Sequence, residues 1–464
     1  MENILRAQKK AFNTELVPTF DTRVDRLNRC IVLLKDYEAK IVKALQLDFK
    51  SRSSEEIIIS EVDQSIRNLR FTIKSLRRWM KPITRQSSFG AGLLGAKAVM
   101  QPSPLGSVGI IAPWNFPVGM IFYPAASIFA SGNRIMAKPS EITPHTADLI
   151  KEAVEKYFDP TEFSICLGGP KVGENFSKLD LDHLLYIGSN SIAKKVLLNA
   201  SRNLVPTTLE LGGKSPTIIG DGADLHLAAK RILFAKTVNA GQICLAPDYV
   251  FLKKGLGNDF LEELKGVFSS FYPKSTEHDY TSMVNAKHHS RINKYLADAV
   301  SKGAKVFSLG QFDDGKRNLI TPKVLLNTKN SMDVMNQEIF GPLLPILEYE
   351  NLEEVVSYIN SKDRPLGLYF FGNRKKDHQY IIENTRSGGI TINDAVFHLL
   401  QSRLPFGGVG ESGYGCYHGY EGFLNFSNLK SIYYQTKYDF FLSLVRPPRG
   451  KYFKLVSRFM NKLS

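Results

Sequence analysis

From Gly106 onward the chain repeats one pattern: a short apolar run of strand length, a turn, a longer helical segment, then another short run. "GSVGIIAP" reads as strand, "VGMIFYPAASIFAS" as helix, "NRIMAKP" as strand, "HTADLIKEAVEKYF" as helix, and "EFSICLGG" and "LDHLLYIGS" as further strands. Apolar strands separated by helices call for a parallel sheet covered on both faces. A second series follows Gly212, through "LAAKRILFAKTVNAG", "YVFLKK", "HHSRINKYLADAVSKG", "PLLPILEYE", "LGLYFFG" and "GGITIND". Because 464 residues exceed what one core supports, two consecutive α/β domains are expected.

Before Lys81 the apolar residues fall at helical spacing, as in "RVDRLNRCIVLLKDYEAKIVKAL", with Cys30 on the apolar stripe. Between Lys81 and Pro104 a Gly/Ser-rich turn is flanked by extended segments, a hairpin leaving the main body. The last segment, "KYDFFLSLVRPPRGKYFKLVSRFMNKLS", mixes aromatic and aliphatic residues with Arg446, Arg449, Lys451, Lys454, Arg458 and Lys462. It reads as an appended basic amphipathic tail, suited to packing on a protein surface or to peripheral contact with an anionic membrane.

The formal net charge is +15, but Lys and Arg are spread along the chain without a nucleic-acid-binding motif, so no nucleic-acid partner is expected. Cys30, Cys166, Cys244 and Cys416 form no Cys-x-x-Cys pair and have no His at metal-ligand spacing, which argues against a zinc site or a disulfide framework. With no signal-peptide pattern in "MENILRAQKKAF", a cytoplasmic location is expected, with peripheral membrane association through the tail.

Two segments match the Gly-x-Gly-x-x-Gly dinucleotide fingerprint: Gly90, Gly92 and Gly95, and Gly408, Gly410 and Gly413. The fingerprint works only where a strand ends and a helix begins, since the pyrophosphate sits on that helix's free N–H groups. Neither segment has that context, and both read as backbone turns. "LLYIGSNSIAKKVLLNAS" has it: a strand ends at Ile187, Gly188 and Ser189 permit close approach, and a helix follows.

Seven dense motifs occur in order: "APWNFP" (112–117), "MAKPSE" (136–141), "YIGS" (186–189), "LELGGKSP" (209–216), "NAGQICLAPD" (239–248), "NQEIFGPLLPI" (336–346) and "LPFGGVGESGYG" (404–415). Together they resemble the aldehyde dehydrogenase superfamily over nearly the whole chain. "RWMKP", "GQICLAPDY", "RSGGITIND" and the tail make its class 3 branch the nearest match. The resemblance implies an α/β, aldehyde dehydrogenase-like fold. A Rossmann-type nucleotide-binding domain would take 1–84 and 105–211, and an α/β catalytic domain 212–400. A β-hairpin oligomerisation arm would take 85–104 and 401–436, the tail 437–464, and the assembly would be a homodimer.

The resemblance also implies the chemistry. Cys244 attacks an aldehyde as thiolate, with the side-chain amide of Asn115 and the Cys244 main-chain N–H forming the oxyanion hole. Hydride passes to the nicotinamide, and Glu210 activates the water that releases the acid. Glu338 and Lys138 match ribose-holding positions, Glu141 a second adenosine-ribose position, Gly188 and Ser189 the pyrophosphate turn, and Phe340 packs on the cofactor. A carboxylate at Glu141 favours a ribose diol over a 2′-phosphate, so NAD is expected, with NADP tolerated.

Taken singly, each residue has a bland reading: Cys244 a buried structural thiol, Asn115 a turn residue, Glu210 and Glu338 surface carboxylates, Lys138 a solvated lysine. Their order in one set of motifs favours the chemical reading. His418 and Cys416 are expected only to shape a turn near the arm. Two positions depart from the common family pattern: Ile187, before the pyrophosphate glycine, and Ile243, before the nucleophile. With Phe116 and Phe397 expected beside Ile243, the pocket favours apolar aldehydes, aromatic or medium to long aliphatic. An acylating or reductive relative that hands the acyl group to another acceptor is the near rival, opposed by Glu210. A non-catalytic scaffold is the far one, opposed by the intact set.

Overall fold

The computed structural model describes residues 1–462 except 89–90, 93–94, 274–278, 312, 440–442, 444–445, 449 and 451. Gly90, Arg449 and Lys451 therefore lie outside the described residues. The helical spacing before Lys81 becomes the helices Phe20–Asp36, Glu38–Phe49 and Gln64–Trp79, whose apolar faces supply Leu27, Cys30, Leu34, Leu45, Leu69 and Leu76 to the largest core. Next come β1 (Ile83–Arg85) and β2 (Lys97–Pro104), paired antiparallel as a hairpin.

The first alternating series forms β3 (Ser107–Ile111), α1 (Gly119–Ala130), β4 (Arg134–Lys138), β5 (Phe163–Ile165), β6 (His183–Gly188), α2 (Asn190–Ala200) and β7 (Thr207–Leu211). Every residue of α1 is buried, as expected of a helix that is apolar all round. The parallel strands lie in the order β7, β6, β3, β4, β5. From β3 the chain runs outward through β4 and β5, then returns across β3 to lay down β6 and β7. This is the doubly wound Rossmann arrangement, and its switch point lies between β3 and β6.

The second series supplies β8 (Pro216–Ile219), α3 (Leu225–Thr237), β9 (Tyr249–Lys253), α4 (Ala286–Ser301), β10 (Lys305–Ser308), β11 (Lys323–Leu326), β12 (Leu343–Tyr349), β13 (Gly367–Phe371) and β14 (Gly389–Ile392). They form a second sheet, parallel except where β10 meets β11, with its own cores on the two faces. The chain then returns. β15 (Gly413–Tyr414) joins the first sheet antiparallel to β7, and β16 (Ser427–Tyr434) pairs along the whole of β2. The hairpin and β16 thus make a third, three-stranded sheet.

In the tail a short helix spans Phe453–Lys462, with Lys454 and Arg458 exposed. No helix among the described residues is long and apolar enough to cross a membrane.

Candidate active site

The loop after β3 carries "APWNFP" to the switch-point crevice. Asn115 is buried there, and its Nδ2 donates to the Gln242 carbonyl at 3.0 Å. That bond uses one amide N–H and fixes the direction of the other. The Asn115 carbonyl accepts in turn from Asn239 Nδ2 at 2.9 Å.

Cys244 lies beyond the end of α3, past a reversal of the chain. α3 stops at Thr237, and Asn239, Ala240 and Gly241 all take left-handed backbone, with φ of 49°, 51° and 73°. The reversal brings the thiol back between the two sheets. It is held by Gln242, which donates to Asn239 O (2.9 Å) and Ser282 O (3.1 Å) while accepting from Val284 N–H (3.0 Å). Left-handed backbone costs a non-glycine residue about 1–2 kcal/mol, so these contacts offset strain at Asn239 and Ala240.

Two cavities meet at the thiol. A larger one, about 560 Å³, is walled by Phe116, Met120, Ile243, Phe397, Phe406 and Tyr417, with Cys244 on its surface. A smaller one, about 330 Å³, is lined by Asn115, Ile187, Gly188, Ser189, Glu210, Glu338 and Phe340, again with Cys244. Met120 and Tyr417 border both, so the two cavities adjoin at Cys244. His418, expected only to shape a turn, also lines the larger cavity. Ring contacts with Phe406 and Tyr417 place it there, a placement that local sequence does not signal.

Burial sets the protonation states. The Cys244 thiol is pushed above its ordinary range by desolvation and then by the Glu210 and Glu338 carboxylates, against the main-chain N–H groups of Cys244 and Leu245. Glu210, near the end of β7, is buried without a cation partner. Desolvation raises its carboxyl well above the usual range, opposed only by the Gly408 N–H. Glu338 is raised to about 8 by burial and then by Asp248, with the Gly213 N–H, Lys214 and Arg291 opposing.

The smaller cavity suits a dinucleotide. Ser189 precedes α2 with no side-chain cap on the helix, leaving first-turn N–H groups free at the switch point. Glu338 Oε1 is buried without a partner, an acceptor that a ribose hydroxyl would satisfy. A Cβ at Gly212 would come within 2.2 Å of that carboxylate, so only glycine lets the two approach. The Glu338 loop is held by Arg291 of α4, which donates to Ile339 O (2.7 Å) and Phe340 O (3.1 Å). Phe340 meets Trp114 edge-on, with centroids 5.4 Å apart. Trp114 and Arg291 were not singled out from sequence, because their roles depend on elements far apart in the chain.

Lys138, at the end of β4, is buried and donates to Glu141 Oε2 at 2.5 Å, outside the lining of this cavity. Of the two fingerprint-like glycine segments, the first includes Gly90 and lies partly outside the described residues, and the second opens no helix onto this cavity. Gly410–Ser412 is a single tight turn leading into β15, and Gly413 packs on the Leu209 carbonyl where a Cβ would be 2.0 Å away. This second segment supports β7 and Glu210 instead of a phosphate.

A doubly wound sheet, a crevice at its switch point and a thiol shared by that crevice and an apolar cavity define a nucleotide-dependent oxidoreductase. The chain belongs to the aldehyde dehydrogenase family, whose family model matches residues 1–432. It is an NAD(P)-dependent enzyme that oxidises aldehydes to acids. It is 44% identical over 458 residues to a probable coniferyl aldehyde dehydrogenase of Caulobacter vibrioides, covering 97% of this chain and 94% of that one. It is 34% identical over 437 residues to a dimeric NADP-preferring aldehyde dehydrogenase of Mus musculus, covering 93% and 94%. The substrate-bound structure of Staphylococcus aureus AldH superposes with a TM-score of 0.93 at 33% identity, covering 99% of both chains.

Proposed function

We propose that the enzyme oxidises apolar aldehydes, aromatic or medium to long aliphatic, with Cys244 as nucleophile, Asn115 as oxyanion donor and Glu210 as the base for hydrolysis. The observation that carries this reading is the apolar cavity of about 560 Å³ opening directly onto the Cys244 thiol. Its wall includes Phe116, Ile243 and Phe397, so a flat ring or an alkyl chain gains contact there and a charged group loses hydration. The coniferyl aldehyde dehydrogenase named among the relatives fits an aromatic preference.

In this reading Cys244 gives its proton up to solvent, the thiolate Sγ bonds the carbonyl carbon, and the free Asn115 N–H with the Cys244 main-chain N–H holds the resulting oxyanion. The smaller cavity, with Gly188, Ser189, Glu338 and Phe340 in its lining, would hold NAD(P), which would supply the hydride acceptor; loss of that hydride leaves the acyl group on Cys244 as a thioester. Glu210 then takes a proton from water as the water oxygen bonds the acyl carbon, and the C–S bond breaks to release the acid and the Cys244 thiolate. Lys138 and Glu141, which lie outside that cavity's lining, would meet the adenosine ribose where the cofactor extends beyond it. The Glu141 carboxylate repels a 2′-phosphate, which favours NAD.

The assembly is a homodimer formed through the three-stranded sheet. β16 is one edge of that sheet, and it exposes Leu429, Tyr433 and Tyr434. The enzyme acts in the cytoplasm, with the basic tail making peripheral membrane contact. The deciding experiment follows NADH absorbance across an aldehyde panel, with Cys244→Ala as control. Cinnamaldehydes and decanal are expected to exceed short charged semialdehydes in kcat/KM. The reverse order would overturn the substrate class, and activity surviving in Cys244→Ala would overturn the mechanism.

A further inference from the structure

The segment before the first long buried helix holds a cluster that the chemistry above does not use. Arg52 and Glu61 are both fully buried and pair with each other, Arg52 Nη1 to Glu61 Oε1 at 3.1 Å. The same Nη1 reaches the Asn115 carbonyl at 3.4 Å, and Arg52 Nε donates to Glu56 Oε1 at 3.2 Å. Glu56 Oε1 also accepts from Asn239 N–H (3.1 Å) and Thr281 Oγ1 (3.2 Å). Glu61 Oε2 accepts from the Val118 and Gly119 N–H groups (3.1 and 2.7 Å), the otherwise free donors where α1 begins. Glu61 belongs to a six-residue π-helical stretch, Ile58–Asp63.

We propose that Arg52, Glu56 and Glu61 are positioning residues for the oxyanion hole, clamping the Asn115 loop to the turn that carries Cys244. One arm of the clamp holds residues 115–119 through a carbonyl and two N–H groups. The other holds Asn239, whose side chain ties back to the Asn115 carbonyl at 2.9 Å. The planar guanidinium suits this role because it fixes several partners in one plane, which a lysine ammonium cannot do. A buried ion pair of this kind is weak evidence for stability, since well-packed apolar residues often serve as well. Its contacts converge instead on the two loops whose relative placement sets the distance from donor to sulfur. A displacement of about 1 Å between such groups costs on the order of 10²-fold in rate.

The proposal rests on the oxyanion role of Asn115, and the test separates the two. The rate of the first NADH turnover is measured for Arg52→Met, Arg52→Lys, Asn115→Ala and the Arg52/Asn115 double variants, each of the full chain. Asn115→Ala alone tests the underlying reading, and an unchanged rate there would sink it. Arg52→Met is expected to lower the rate about 10²-fold with KM for NAD unchanged, and Arg52→Lys to recover part of the loss. In the Asn115→Ala background either Arg52 substitution is expected to cost less than about threefold, because the group it positions is gone. If the Arg52 losses multiply fully with that of Asn115→Ala, the clamp is merely structural and the proposal is overturned. Should Arg52→Met not fold, Arg52→Lys and Glu56→Gln carry the same comparison.

Discussion

Cys244 shares a desolvated site with the Glu210 and Glu338 carboxylates, which gives its activity a definite pH sense. Glu210 and the thiol are both held protonated above their ordinary ranges, and both act deprotonated. kcat/KM is therefore expected to rise with pH across the alkaline range as the thiol gives up the proton that burial holds on it, and kcat likewise as Glu210 gives up its own. A profile that falls over that range would contradict the assignment. Asn115→Ala is expected to lower kcat by about 10²–10³-fold, read in steady-state turnover. Glu210→Gln should keep the first NADH turnover while slowing acid release, a burst followed by a slow phase. Without that burst, Glu210 is not the hydrolytic base. These three residues were legible in sequence because each lies in a dense motif. Gln242 and Asn239 lie in the same motif as Cys244, but their hold on Asn115 was not legible, because it joins loops over a hundred residues apart.

At the scale of elements, the turn between α3 and β9 matters most. Gly241 has φ of 73°, and a Cβ there would lie 2.6 Å from the Gly341 carbonyl. Gly241→Ala is expected to destabilise the protein by at least about 2 kcal/mol, combining left-handed strain with a backbone clash. Denaturant unfolding checks this, and an unchanged midpoint would mean that the turn relaxes freely. The alternation of strands and helices was readable because each period is local. The service of the Gly408–Gly413 segment to Glu210 was not, since it depends on β15 pairing with β7 across two hundred residues.

For the whole molecule, two surfaces invite measurement. Sedimentation of the full chain at micromolar concentration is expected to give a dimer, and charge introduced at Tyr433 and Tyr434 to weaken it. A monomeric wild type would remove the role of the arm. Flotation with anionic liposomes should retain the full chain better than a chain ending at Gln435, and equal retention would leave the tail without a membrane role. That the third sheet closes with a strand from near the other end of the chain was invisible in sequence, because β16 has no recognisable partner until the hairpin is in place.

By itself the sequence determined the periodic strands and helices, the apolar faces that bury them, and the residue types gathered in seven motifs. These follow from side-chain hydrophobicity and spacing along one chain. Only the tertiary structure decided that Cys244 stands where two cavities adjoin, beyond the reversal that follows α3. Only it decided that His418 faces the larger cavity, and that Arg52 and Glu61 pair beneath Asn115. Each of those outcomes depends on a reversal of the chain or on a pairing between distant segments. Hydrogen-bond geometry and desolvation select among such arrangements only once the sheets have packed.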